Sequence, residues 1–216
     1  MCEAPRYEDT SVQGKKIPYK VLRYFLLTPR IRRLYISGQR AKDMRWYINK
    51  RVDDGLMRHL ANSEWNEFDL QHLDFALKPH NVRLGLATDG FNSFGNMNNN
   101  YNMWPIILIP YNLPPWLVKK EPYFMLSLLI PGPYRPRNKI DIYLKPLVDE
   151  LKELWEEGVE TYDAYSKEHF HMHAILLWTI LDLVTCLGGG QRVIILVTLA
   201  TMNHIQKLWK VYLEYT

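Results

Sequence analysis

Apolar and polar positions change period along the chain, and each change marks an element. From about Ile31 to Leu60 the period is helical: Met44, Tyr47 and Ile48 share a face, with Lys42, Arg45 and Arg51 largely elsewhere. Asp53-Asp54-Gly55 interrupts it, and Asn62-Ser63-Glu64 reads as a fresh cap ahead of Trp65 and Phe68. Leu84, Leu86 and Thr88 then alternate with smaller residues in a short apolar run, which predicts a largely buried strand. Met103–Pro110 and Phe124–Ile130 predict two more. The links between these three are too short for crossover helices, so they predict an antiparallel meander. After Pro131-Gly132-Pro133 the helical period returns. Leu147, Leu151, Leu154 and Trp155 form one face, and Asp149, Glu150, Glu153 and Glu156 turn mostly to water. Pro146 fits such a helix only in its first turn, and Gly158 is its natural stop. Ala174–Ile180 is a fourth buried run, followed at once by Asp182.

Residues 1–20 read as an irregular lead-in broken by Pro5, Gly14 and Pro18, and Val21–Leu27 as a short ordered piece. Asn92 to Asn102 is a polar, Asn-rich loop. A meander, then a helix, then a strand bearing an acid is the opening of a ribonuclease-H-like α/β domain. Its first and fourth strands lie side by side, so Asp89 and Asp182 would converge at one edge. Hard carboxylate oxygens suit Mg²⁺ or Mn²⁺, and two such ions can clamp the attacking and leaving oxygens of a phosphodiester displacement. The other reading of Asp89-Gly90 is a plain turn, since both residues tolerate positive φ.

Composition narrows the class. The chain has 216 residues, 47% of them hydrophobic and 23% charged, which describes a globular protein with a sizeable core. The N-terminus lacks the apolar stretch of a signal peptide, and Val193–Leu199 falls far short of the roughly 20 residues that span a bilayer. Cys2 and Cys186 make no disulfide framework, which fits a reducing compartment, cytosol or nucleus. Residues 1–58 carry 14 Lys and Arg against 6 Asp and Glu, a surplus of +8 within a total of +4. Such a basic third can neutralise phosphates or simply be a solvated helical surface. Arg30, Arg32 and Arg33, clustered beside Leu34 and Tyr35, favour nucleic acid, with Lys42 and Arg45 on the following turns. The acidic run of 149–156 reads as a solvated helix face. His59 and His72 have no Cys or His at ligand spacing and read as surface or packing residues.

The residues also carry a resemblance. Arg45-Trp46, Asp54-Gly55-Leu56 with Arg58-His59, Asn81 through Asn92, and Trp104-Pro105 through Pro115-Trp116 are similar to the transposases of plant CACTA-type (En/Spm) DNA transposons. So are Met125 through Pro133, Asp141 through Asp163, and Leu177 through Ile180. The likeness covers roughly residues 2–180. It implies a ribonuclease-H-like nuclease core that cuts and joins transposon ends in the nucleus, as part of a possible transposase oligomer. Asp89 then looks like the family's first metal-binding acid, and Asp182 is similar in place to the second. Cys2 matches one cysteine of a Cys-Pro-x-Cys motif, and alone it cannot build a four-ligand zinc site.

From about residue 181 the chain departs from the family. Suitable codons for Thr185–Val193, read one base earlier, encode the family's expected continuation, so the tail reads as out-of-frame translation; a divergent genuine tail is the alternative. The family's third acid is expected beyond residue 216. The expectation is therefore an incomplete ribonuclease-H-like core at 81–182, a basic and mostly helical N-terminal region at 1–80, and a tail at 183–216. As a transposase fragment it is expected to be catalytically inactive; the rival is a non-catalytic DNA-binding or transposase-interacting remnant. Neither reading involves a membrane.

Overall fold

The computed structural model describes Tyr7 and residues 16–47, 68–88, 91–92, 102–118, 120–132, 140–182 and 192–196. The expectations on Ile48, Arg51, Asp53-Asp54-Gly55, His59, Asn62-Ser63-Glu64, Trp65 and Asp89 lie outside these residues. In order, the elements are β1 (Arg23–Tyr24), α1 (Thr28–Ile36), α2 (Gly38–Met44), α3 (Leu73–Ala76), β2 (Val82–Thr88), β3 (Phe91–Asn92) and β4 (Asn102–Pro110). There follow α4 (Pro115–Val118), β5 (Met125–Ile130), α5 (Ile140–Glu156), β6 (Val159–Asp163), β7 (Glu168–Met172), β8 (Ala174–Asp182) and β9 (Arg192–Leu196).

One sheet runs β1-β5-β4-β2-β8-β9, with β3 paired to β4; β6 and β7 form a separate hairpin. β2, β4 and β5 are the antiparallel meander. β8 returns beside β2 and parallel to it, with Val82 opposite Ala174 at one end and Thr88 opposite Leu181 at the other. A parallel return needs a long crossover, and α5 with the β6–β7 hairpin supplies it. β2 is therefore central, flanked on both edges, and residues Val82 to Leu86 are all buried. This explains its near-continuous apolar run.

α5 closes the sheet from β5 to β8. Leu147, Leu151 and Leu154 are buried in one cluster with Leu84, Leu86, Ile106, Leu108 and Leu128. Gly158 ends the helix at φ +71°, its N–H donating to the Glu153 carbonyl at 3.1 Å. Pro146 departs from expectation: it sits inside the helix rather than in its first turn. Its missing N–H frees the carbonyl of Ile142, an exposed residue, where water can take the bond.

The N-terminal third differs too. The single helix expected from Ile31 is two: α1 begins at Thr28 with Pro29 in its first turn, and Ser37, extended at ψ 121°, separates it from α2. Ser and Gly both disfavour a helix interior. Nor do these helices stand apart. Leu27, Ile31, Leu34, Tyr35, Ala41 and Met44 are buried in the same cluster as the sheet, and β1 extends the sheet at Arg23 opposite Leu129. No helix among the described residues is long and apolar enough to cross a membrane.

Candidate functional site

The ends of β2 and β8 form the rim that the sequence singles out. Register partners on neighbouring strands lie about 5 Å apart, and the last pair here is Thr88 with Leu181. Those are the residues immediately before Asp89 and Asp182. Asp89 lies outside the described residues. Asp182 closes β8, where its backbone pairs with Arg192 of β9. Among the described residues no group of three His, Cys, Asp or Glu stands close enough to hold a metal ion.

What fixes β2 at its other end is a buried polar network. Arg83 is fully buried and pairs with Asp69 at 2.8 Å. The Tyr47 hydroxyl donates to the second Asp69 oxygen at 3.1 Å, and the Arg83 guanidinium lies over the rings of Tyr47 and Phe75. Asn112 accepts from the Arg83 backbone N–H at 2.7 Å and donates to the Asn81 carbonyl at 2.8 Å. Asn81 in turn donates to the Phe75 carbonyl at 3.0 Å. A charge in such a place is tolerated only when paired and hydrogen-bonded. Arg83 inside an apolar run was the available sequence signal; Asp69, far off in the polar segment before β2, could not be named as its partner.

The basic residues expected to face nucleic acid divide into two groups. Arg32 and Arg33 on α1 and Lys42 on α2 are exposed. Arg30 is half-buried and donates to the Leu126 carbonyl of β5; burial first, and then the charge of Arg33, lowers its pKa. Arg45 is turned inward rather than onto an open basic face. It pairs with Asp163 at 2.7 Å, reaches the Ser166 hydroxyl at 3.0 Å and touches His80.

Asp163 is the centre of that second cluster. Its side chain has no exposure, and Oδ2 accepts from both Arg45 and His80 Nε2, the latter at 2.8 Å. Oδ1 accepts the backbone N–H groups of Tyr165 at 2.7 Å and Ser166 at 3.3 Å. Burial acts to raise the Asp163 pKa, yet these hydrogen bonds outweigh it and hold the carboxyl below its ordinary 3.8. His80 goes the other way: burial lowers its pKa, and Asp163 only partly opposes the shift. The ring stacks on Phe170 at 4.1 Å between centroids, and its backbone carbonyl accepts from the buried Tyr35 hydroxyl. The cluster fastens the β6–β7 hairpin to α1, α2 and the start of β2. It has the chemistry of a clamp.

His72 packs, as expected, against Phe68 and Trp155. Compared with known proteins, the chain matches the model of the transposase family tnp2 over residues 54–192, more than half its length. The match runs on through residues 183–192. No curated protein and no solved structure matches.

Proposed function

Because the chain belongs to the transposase family tnp2, we propose that it carries part of a ribonuclease-H-like DNA-cutting core, with Asp89 and Asp182 as its first two metal-binding acids. The observation that carries this is the parallel pairing of β2 with β8, which ends on Thr88 and Leu181. The strand order, with a meander flanked by a parallel fourth strand, supports the same reading. Two hard carboxylates following neighbouring strand ends fit Mg²⁺ or Mn²⁺, which would stabilise the charge that develops on a phosphodiester during displacement. The chain's own contribution is rigidity: Arg83 with Asp69 holds one end of β2, and the core holds the rest. The element of origin is then CACTA-type, its host a plant, its place of action the nucleus, and its DNA the transposon ends, bound by a possible oligomer.

Only Asp89 and Asp182 are assigned here as metal ligands, and we infer that the residues of this chain by themselves cut DNA little or not at all. The rival, a non-catalytic DNA-binding remnant, is favoured by the exposed Arg32, Arg33 and Lys42. One experiment addresses both readings, with binding and cleavage of transposon-end DNA followed in Mg²⁺ or Mn²⁺ as salt is varied. Binding should weaken with salt, and reversing the three charges should lower the slope by about one for each phosphate no longer neutralised. Cleavage that disappears in Asp89→Ala overturns the inactivity and keeps the metal site. Binding indifferent to salt removes the DNA-binding reading.

A further inference from the structure

The β6–β7 hairpin has two unlike faces. Thr161, Asp163 and Met172 are buried, and Phe170 packs against the main core. Glu160, Tyr162, His169 and His171 are exposed. This is the period-two alternation of a half-buried hairpin, but its outer face is unusual in chemistry. Register sets Glu160 opposite His171 and Tyr162 opposite His169. Glu160 also reaches diagonally, its Oε1 standing 3.5 Å from His169 Nδ1. Two imidazoles and one carboxylate thus share one small patch.

Their spacing suits a chelate. Residues two apart on a strand are about 6.6 Å from each other and point to the same side, so two imidazole rings can lean toward one point between them. A directly opposite residue has its Cβ about 5 Å away, within reach for a glutamate. As their side chains stand, the three do not converge on one point, and no such group of three does among the described residues. The adjustment needed is rotation of exposed side chains: His169, its ring 5.2 Å from that of Tyr162, is 67% exposed and Glu160 70%. His173 continues the alternation but is engaged elsewhere, with Nδ1 3.1 Å from the Trp155 carbonyl and its ring against Gly158.

We propose that His169, His171 and Glu160 form a surface site for a divalent transition-metal ion, Zn²⁺ foremost, held by two imidazole nitrogens and one carboxylate oxygen with water completing the shell. Imidazole selects zinc, copper and nickel over magnesium. The site is therefore chemically separate from the all-carboxylate rim at the far end of β8. An ion here ties β6 to β7, and β7 leads directly into β8.

The test is calorimetric titration of the chain with ZnCl₂, in a Cys2→Ser, Cys186→Ser background that removes thiol ligands. One ion per chain should bind, and millimolar Mg²⁺ should not displace it. His169→Gln and His171→Gln should each weaken binding about tenfold or more, at least as much as loss of a supporting residue does. Glu160→Gln should also weaken it, whereas Glu153→Gln and Asp89→Ala should leave it unchanged. Zinc should also raise the midpoint of thermal unfolding in the parent and not in the double histidine variant. Absence of binding, or binding that survives His169→Gln with His171→Gln, overturns the proposal. Circular dichroism checks that each variant is folded, which exposed positions favour.

Discussion

At Gly85 the backbone of β2 passes against the ring of Tyr111, so closely that an added Cβ would run into it, with ring Cζ and Oη only 2.9 Å away. The same residue marks the slip in pairing, from Leu84 opposite Leu176 to Gly85 opposite Trp178. Glycine inside a strand often signals a bulge or a close approach, and both occur here. Gly85→Ala should therefore destabilise the chain by about 1–3 kcal/mol, the usual range for overpacking a filled core. Urea unfolding measures it. In a Tyr111→Ala background the same methyl should cost much less, and an equal cost in both backgrounds would remove the steric explanation. Gly158 was legible in the sequence because it follows a helical pattern that must stop. Gly85 was not, because the ring that demands it comes from beyond the next strand and no local pattern names it.

The elements were legible in proportion to their periodicity. β2, β4, β5 and β8 are strongly patterned, and each lies within a residue or two of its expected bounds; α5 stops at Gly158 as expected but starts at Ile140, several residues ahead of the first turn expected at Pro146. The β6–β7 hairpin was missed because its strands are short, half polar and placed between a helix and an apolar run. The acidic face of α5 was only partly legible. Asp149, Glu153 and Glu156 are exposed as expected, but Glu150 is half-buried against α1. α1 has no side-chain cap of its own, and Glu150 supplies one from a distance. Its carboxylate accepts the N–H groups of Leu27 at 3.0 Å and Thr28 at 2.8 Å, together with the hydroxyls of Thr28 and Tyr24. A negative charge at a helix N-terminus answers both the free donors and the dipole. Glu150→Ala should cost about 1 kcal/mol, as loss of a cap does, while Glu153→Ala should be nearly neutral. Equal effects at the two positions in urea unfolding would show that the cap contributes nothing.

Across the whole molecule, the meander and the return of the fourth strand beside the first are legible in the sequence, because short links and changes of period constrain topology tightly. The way the N-terminal third is built into the core is not, since long-range ionic partners such as Arg45 with Asp163 leave no trace in local spacing. Those partners set how the fold should answer to acid. Burial lowers the His80 pKa below its ordinary 6.5 despite Asp163, so the folded chain prefers the neutral ring. That preference is fully present above about pH 6.5 and is lost as pH falls toward the lowered folded value. Glu150 and Asp163 are held below their ordinary 4.5 and 3.8, burial opposing the shift and hydrogen bonds from Tyr24, Thr28 and Leu27, and from Tyr165, His80 and Ser166, outweighing it. Their contribution is complete above those ordinary values and disappears as pH drops through the lowered ones. All three signs agree, so stability should decline in two stages on acidification, gently below about pH 6.5 and steeply below about pH 4.5. The urea midpoint followed from pH 8 to pH 3 reads both stages. His80→Gln should flatten the first and touch the second only through the hydrogen bond lost at Asp163, and Glu150→Gln should reduce the second and leave the first. A first stage that persists without His80 would place the titrating group elsewhere and detach the clamp at Asp163 from the acid response.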